Sequence, residues 1–217
     1  MIKEEKYLKV KQNYIKRILM LISGILIATF GMTLLVKSSL GQSTVSAISY
    51  NIGVVTNMKT GTILALINYI CFFAQIILLR RNFKIIQVLQ LVVTTIFGGL
   101  LNIFLYNISF ISNIDLNNYI LKLIVLLCGI ICMAYGISLM MIADLVFMPF
   151  EGLCNLIASK LKIPFGTLRR YVDILFVIIS IGIIIIYKIP NTSIREGTIL
   201  YTILFGTLTN IFISSMR

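Results

Sequence analysis

Six apolar blocks run along the chain, at 18–36, 62–79, 85–108, 123–142, 171–187 and 198–214. Each is close to the ~20 residues that a helix needs to cross a hydrocarbon core. Between the first and second block of each half lies a shorter amphipathic segment. In the first, Val45, Ile48, Ile52 and Val55 recur at helical spacing, with Ser43, Thr44, Ser46, Ser49 and Asn51 between them. In the second, Phe150, Leu153, Ile157 and Leu161 do the same, interrupted by Pro149, Glu151 and Asn155. A helix of ~13 residues is about 20 Å long, short of the ~30 Å core. Both segments are therefore predicted to be re-entrant or interfacial, which leaves three spans and one short helix in each half.

The halves meet at a polar connector, 107–118, which holds Asp115 and four asparagines and no lysine or arginine. They also repeat. TTIFGGLLNIF (94–104) aligns with TILFGTLTNIF (202–212) at seven of eleven positions, among them Phe97/Phe205, Gly98/Gly206 and Asn102/Asn210. An offset of 105 carries Gly24 and Gly31 onto Gly129 and Gly136, Gly61-Thr62 onto Gly166-Thr167, and Asn68 onto Asp173. Such self-similarity is the mark of internal duplication. Because three spans is an odd number, the second copy enters the membrane from the opposite side. The expected fold is thus all-α, six transmembrane helices arranged as two inverted three-helix repeats. The expected organisation is a basic cytoplasmic tail at 1–17, repeat one at 18–108, an extracytoplasmic connector at 109–120 and repeat two at 121–217. The competing arrangement, in which both short segments span and the repeats run parallel, is disfavoured by segment length and by the Pro149/Glu151 interruption.

Composition narrows the class. Of 217 residues, 59% are hydrophobic and only 12% charged, about half the charge of an ordinary soluble domain, and the mean hydropathy is +1.03. A soluble enzyme, a secreted disulfide scaffold and a disordered chain are excluded. The net charge of +12 would suggest nucleic acid in a soluble protein, but here the basic residues flank apolar blocks, where they set orientation. With the N-terminus inside, fourteen of the 19 basic residues fall on the cytoplasmic face, starting with Lys3, Lys6, Lys9, Lys11, Lys16 and Arg17. Five, Lys37, Lys59, Lys122, Lys188 and Arg195, fall outside. The first block lacks a small-x-small cleavage site and is read as a retained span. There is no histidine and no tryptophan, which removes HExxH zinc chemistry and histidine triads. No phosphate-binding Gly-x-x-x-x-Gly-Lys-Ser/Thr loop and no Gly-x-Ser-x-Gly elbow is present. Cys71, Cys128, Cys132 and Cys154 all lie in apolar stretches and read as small buried hydrophobes.

Polar side chains within apolar blocks carry the functional information, since an ionisable group at membrane depth is costly and is kept for a reason. Glu151 follows the break at Met148-Pro149, where proline leaves backbone groups unpaired; Asp144 precedes it. Asp173 lies four residues after Arg169 and three after Arg170, so an ion pair on one helix face is expected. Its repeat partner Asn68 is neutral at the same depth. Asn102 and Asn210 occupy matching places, suited either to interhelical hydrogen bonds or to a shared cavity. Glu196 stands where it complements a helix N-terminus.

GMTLLVKSSL (31–40) followed by Gly41, LLRRNFKIIQVLQ (78–90), Phe150-Glu151-Gly152-Leu153 and Arg195-Glu196-Gly197-Thr198 resemble the YczE/YyaS/YitT group of bacterial integral membrane proteins of unassigned function. The resemblance covers nearly the whole chain after the basic tail. It implies a bacterial plasma membrane location and supplies no substrate or catalytic residue. Two departures stand out: relatives often carry proline where this chain has Thr44, and an acid where it has Asn102. If that acid couples an ion in relatives, the resemblance does not carry that coupling over to this chain.

The function expected from these features is a small-solute permease or ion-coupled secondary transporter, with no cofactor or metal. Its site would be lined by Asn68, Asn102, Glu151, Asp173 and Asn210. The lipid bilayer, a small solute or ion, and a second copy of the chain are the candidate partners, and nucleic acid is not among them. The alternative is a non-transporting accessory or assembly protein that acts through helix contacts. An intramembrane enzyme built on Asp144 and Glu151 ranks third, for want of a nucleophile and base.

Overall fold

The computed structural model describes residues 2–80, 85–108, 118–146, 148–163 and 165–216, without the side chains of 2–13, 85–86, 165–167 and 170. The expected domain boundaries within 109–117, and Arg81, Lys84 and Arg217 of the charge tally, lie outside the described residues. The described chain is all helical. Its helices are α1 (Ile2–Ser38), α2 (Thr44–Thr56), α3 (Thr60–Leu79), α4 (Leu89–Asn102), α5 (Tyr119–Ala143), α6 (Pro149–Leu161), α7 (Phe165–Tyr187) and α8 (Glu196–Met216). A 3-10 turn, Ile85–Val88, leads into α4 and a π-helical turn, Ile103–Asn107, prolongs it. Five helical stretches are long and apolar enough to cross a bilayer: Tyr14–Ser38, Thr60–Leu79, Leu89–Asn107, Tyr119–Ala143 and Glu196–Met216. Helix α7 is 23 residues long and carries Arg169 and Asp173 in its first turns, ahead of an apolar stretch that runs to Tyr187. Large apolar side chains such as Ile70, Ile77, Ile185, Ile186 and Ile199 are more than 60% exposed, as befits a surface whose solvent is lipid. The protein is a multi-pass membrane protein by length and composition of its helices.

The two predicted short segments are helices of 13 residues each. Local chemistry sets their limits. Ser43 caps α2, its hydroxyl accepting from the Ser46 amide at 3.3 Å. Pro149 occupies the first turn of α6, where its missing N–H costs nothing, and Met148 before it is extended. Both helices end on a left-handed residue, Asn57 and Lys162, in the manner of an αL cap.

Elements recur at a near-constant spacing. Helices α1 and α5 end 105 residues apart, α2 and α6 begin and end 105 apart, and α3 and α7 begin 105 apart. The six described non-glycine residues with positive φ pair the same way: Ser39 with Asp144, Asn57 with Lys162, and Arg80 with Lys188 at a spacing of 108. These are the points at which the chain leaves a helix, so both halves break their helices at equivalent places.

Helices α1 and α5 form the central seam and run antiparallel, Arg17 reaching the Ala143 carbonyl (2.7 Å) while Gly31 lies on Gly129. Glycine is required there: a Cβ on Gly24 would stand 2.8 Å from the Gly136 oxygen, and one on Gly31 2.8 Å from the Gly129 oxygen. Helix α8 runs parallel to α5, with Gly197 against Leu126 near their starts and Thr209 near Ser138 further along. Helices α3 and α4 are antiparallel neighbours. The short helices cross between halves: α2 packs on α7, and α6 packs on α3. Gly41, at φ +117°, bends the chain after α1 so that the Leu40 carbonyl meets the Gly197 amide (2.7 Å) and the Gln42 amide meets the Ser193 carbonyl (3.1 Å).

Candidate functional site

Helix α2 runs back toward the end of the molecule at which α1 stops. Val36, Lys37, Ser39, Tyr50, Leu105 and Tyr106 line one cleft of about 380 Å³ there. The N-terminus of α2 therefore lies inside the helix bundle, about 20 Å of helix away. Helix α6 does the same toward the other end: the Lys160 ammonium donates to the Leu78 carbonyl at the end of α3 (2.8 Å), while Phe150 meets Asn68 midway along α3. The two short helices thus point their N-termini into the middle of the molecule, and the first turn of each is met there by a side chain of the other half. The Phe150 amide donates to Asn68 Oδ1 at 3.2 Å, and the Thr44 hydroxyl donates to Asp173 Oδ1 at 2.5 Å. Asn68 and Asp173, 105 residues apart, do equivalent work.

Arg169 stands between these N-termini. Its Nε lies 3.1 Å from both carboxylate oxygens of Asp173, and its Nη1 is 3.3 Å from Glu151 Oε1. The guanidinium also lies 4.5 Å over the Phe150 ring, a position in which the ring face adds to its stabilisation. The side chains of Arg169 and Asp173 are 22% and 23% exposed, that of Glu151 44%. Asp173 is held by three hydrogen bonds; Glu151 is held by one, and its Oε2 is buried without a partner among the described residues. Tyr201, almost wholly buried, closes the site from α8, its hydroxyl within reach of Ser43. The trio carries one positive and two negative charges. Two helix N-termini add positive potential, and Glu151 is the more loosely held of the two carboxylates.

Three of the five residues expected to line a site meet here: Asn68, Glu151 and Asp173. Asn102 is elsewhere, at the start of α3, where its Oδ1 accepts from the Gly61 amide (2.8 Å) and its Nδ2 donates to the Thr62 hydroxyl (3.0 Å). Asn210 is exposed on α8. Asp144 is apart from Glu151 in its bonding, since it pairs with Arg17 at 3.3 Å on an exposed corner. Arg17, Ala143 and Asp144 together finish the C-terminus of α5. Glu196 pairs with Arg195 (3.0 Å) in the first turn of α8. The four cysteines are free thiols, Cys71 and Cys154 buried, Cys128 exposed, and no three potential metal ligands cluster among the described residues. Thr44, Arg169 and Tyr201 were not among the expected site residues. The four-residue spacing to Asp173 pointed toward Arg169; nothing in the sequence marked Thr44 or Tyr201 as site residues.

Asn102 makes a testable structural contribution. Its replacement by alanine removes a cap from α3, and should lower stability by about 1 kcal/mol, read as a fall of the thermal midpoint in detergent.

Neither a curated protein nor a solved structure matches this chain. A family model does, over residues 15–214, and it takes in both halves and every residue of the central cluster. The chain belongs to this family of unknown function, DUF6198.

Proposed function

We propose that the protein is a permease for small carboxylates or similarly compact anions, coupled to protons through Glu151. In this reading six spans form two inverted repeats and the short helices α2 and α6 are re-entrant. The N-terminus is cytoplasmic, the membrane is the bacterial plasma membrane, and the solute passes chemically unchanged. The likeness to the YczE/YyaS/YitT group is consistent with that location.

The observation that carries the proposal is the Arg169–Glu151–Asp173 cluster lying between two half-helix N-termini. Transporters built from inverted repeats commonly bind at the midplane, with helix N-termini facing anionic groups. Arg169 offers a planar fork suited to a carboxylate, and Asp173 and Thr44 fix one side of it. An incoming carboxylate takes the place of Glu151 on Arg169. Glu151 then takes a proton from the solution on that side and releases it on the other, so that solute and proton cross together and the cluster keeps its charge.

Purified protein in vesicles, given labelled lactate, succinate and glutamate under a pH gradient, should accumulate at least one of them. Glu151→Gln should reduce gradient-driven accumulation at least tenfold while leaving exchange of labelled for unlabelled solute. Full accumulation by this variant would remove Glu151 from coupling, and no uptake or exchange of any anion by the native protein would end the permease reading.

A further inference from the structure

The two halves share one latch sequence, but only one latch is closed. In the first half α3 and α4 touch at Gly61 and Gly98, where a Cβ on Gly98 would stand 2.5 Å from the Gly61 oxygen. Asn102 fastens the pair through the Gly61 amide and the Thr62 hydroxyl. Tyr106 adds a hydrogen bond to the Thr60 hydroxyl at 2.9 Å. The second half has the same parts in sequence: Gly166-Thr167 opening α7, and Gly206 and Asn210 on α8. There a Cβ on Gly206 would meet nothing within 4 Å, Asn210 is exposed, and no packing comparable to α3 on α4 joins α7 to α8 among the described residues.

An open latch of this composition is hard to explain by local stability. Glycine weakens a helix interior relative to alanine, and Asn210, exposed on an apolar helix, makes no side-chain hydrogen bond among the described residues. Both residues are accounted for if α8 closes on α7 in a second state, Gly206 admitting the α7 backbone and Asn210 capping it as Asn102 caps α3. We infer that the protein alternates between two states, in one of which Asn102 latches α3 to α4 and in the other Asn210 latches α8 to α7. The inference rests on the permease reading for its purpose, but not for its test.

The test is disulfide trapping in vesicles without any solute. Thr62→Cys with Asn102→Cys reports the first latch, Thr167→Cys with Asn210→Cys the second, each with native cysteines retained and the native chain as control. Both pairs should form an intrachain disulfide, seen by mass spectrometry after digestion. Asn210 is exposed, so the second pair gives up no bond present in this state. Gly206→Leu has room here yet blocks closure; it should cut the 167/210 disulfide at least tenfold and leave the 62/102 disulfide intact. Gly99→Leu, also with open space around it and aligned with Thr207, should alter neither. Absence of the 167/210 disulfide where 62/102 is complete would overturn the inference. So would a 167/210 disulfide formed only between chains, or one indifferent to Gly206→Leu. If both latches trap but no anion is carried, the alternation stands and the permease reading falls.

Discussion

Replacing Arg169 with methionine should be among the most damaging single changes in the protein. The substitution keeps the apolar stem and removes the guanidinium, which leaves Asp173 and Glu151 as two unshared carboxylates inside the bundle. Asp173 would keep only the Thr44 hydroxyl, and Glu151 would keep no partner among the described side chains. Removing one member of a largely buried ion cluster typically costs about 3–5 kcal/mol, because the charge left behind is uncompensated. The expected result is a large fall in the thermal midpoint in detergent together with loss of uptake. Arg169→Lys should recover part of the stability but little transport, since an ammonium cannot hold two carboxylates in a planar fork. The triple variant Arg169→Met, Asp173→Asn, Glu151→Gln separates the two roles: it should regain stability by removing all three charges and remain inactive. A methionine variant as stable as the native protein would mean that the cluster is solvated and not the internal site described above.

What the sequence made legible is what many residues vote for together. A membrane span integrates apolarity over about 20 positions, so all six apolar blocks fall on helices. The short helices were legible because apolar residues recur there at helical spacing over too few positions to span. The duplication was visible in paired glycines, which are fixed by backbone contact and so tolerate no drift; the same offset pairs Asn68 with Asp173. The helical continuation of α1 back to Ile2 was not anticipated, because six basic residues at 3–17 masked the helical spacing of Tyr7, Val10, Tyr14 and Ile18. Arg169 looked like one half of an i,i+4 pair with Asp173, which it is. Its contact with Glu151, its seat over Phe150 and the approach of Tyr201 depend on how α6, α7 and α8 converge, and no local pattern encodes that. The inequality of Asn102 and Asn210 was equally hidden, since near-identical sequences adopt different packing.

The seam between α1 and α5 is where the other large effect is expected. Gly31→Leu would put a Cβ 2.5 Å from the Met133 nitrogen and 2.8 Å from the Gly129 oxygen. Both are backbone atoms, so no rotamer change relieves the clash and the helices must separate. Overpacking a tight core costs about 1–3 kcal/mol even where side chains can yield, and here more is expected. The pairing is reciprocal, Gly24 on Gly136 and Gly31 on Gly129, as around a two-fold axis. Gly136→Leu should therefore fail for the same reason as Gly31→Leu, its Cβ falling 2.4 Å from the Ala28 nitrogen, whereas Gly206→Leu should leave the thermal midpoint near that of the native protein. Separation would not stop at the seam. Helix α1 ends at Ser38 and α5 at Ala143, and the short helices hang from those two ends, so spreading the seam draws the N-termini of α2 and α6 apart around Arg169. The milder Gly31→Ala should consequently lose a larger fraction of uptake than of folded protein, measured on the same vesicles. Equal losses would show that the seam holds the fold without setting the geometry of the site.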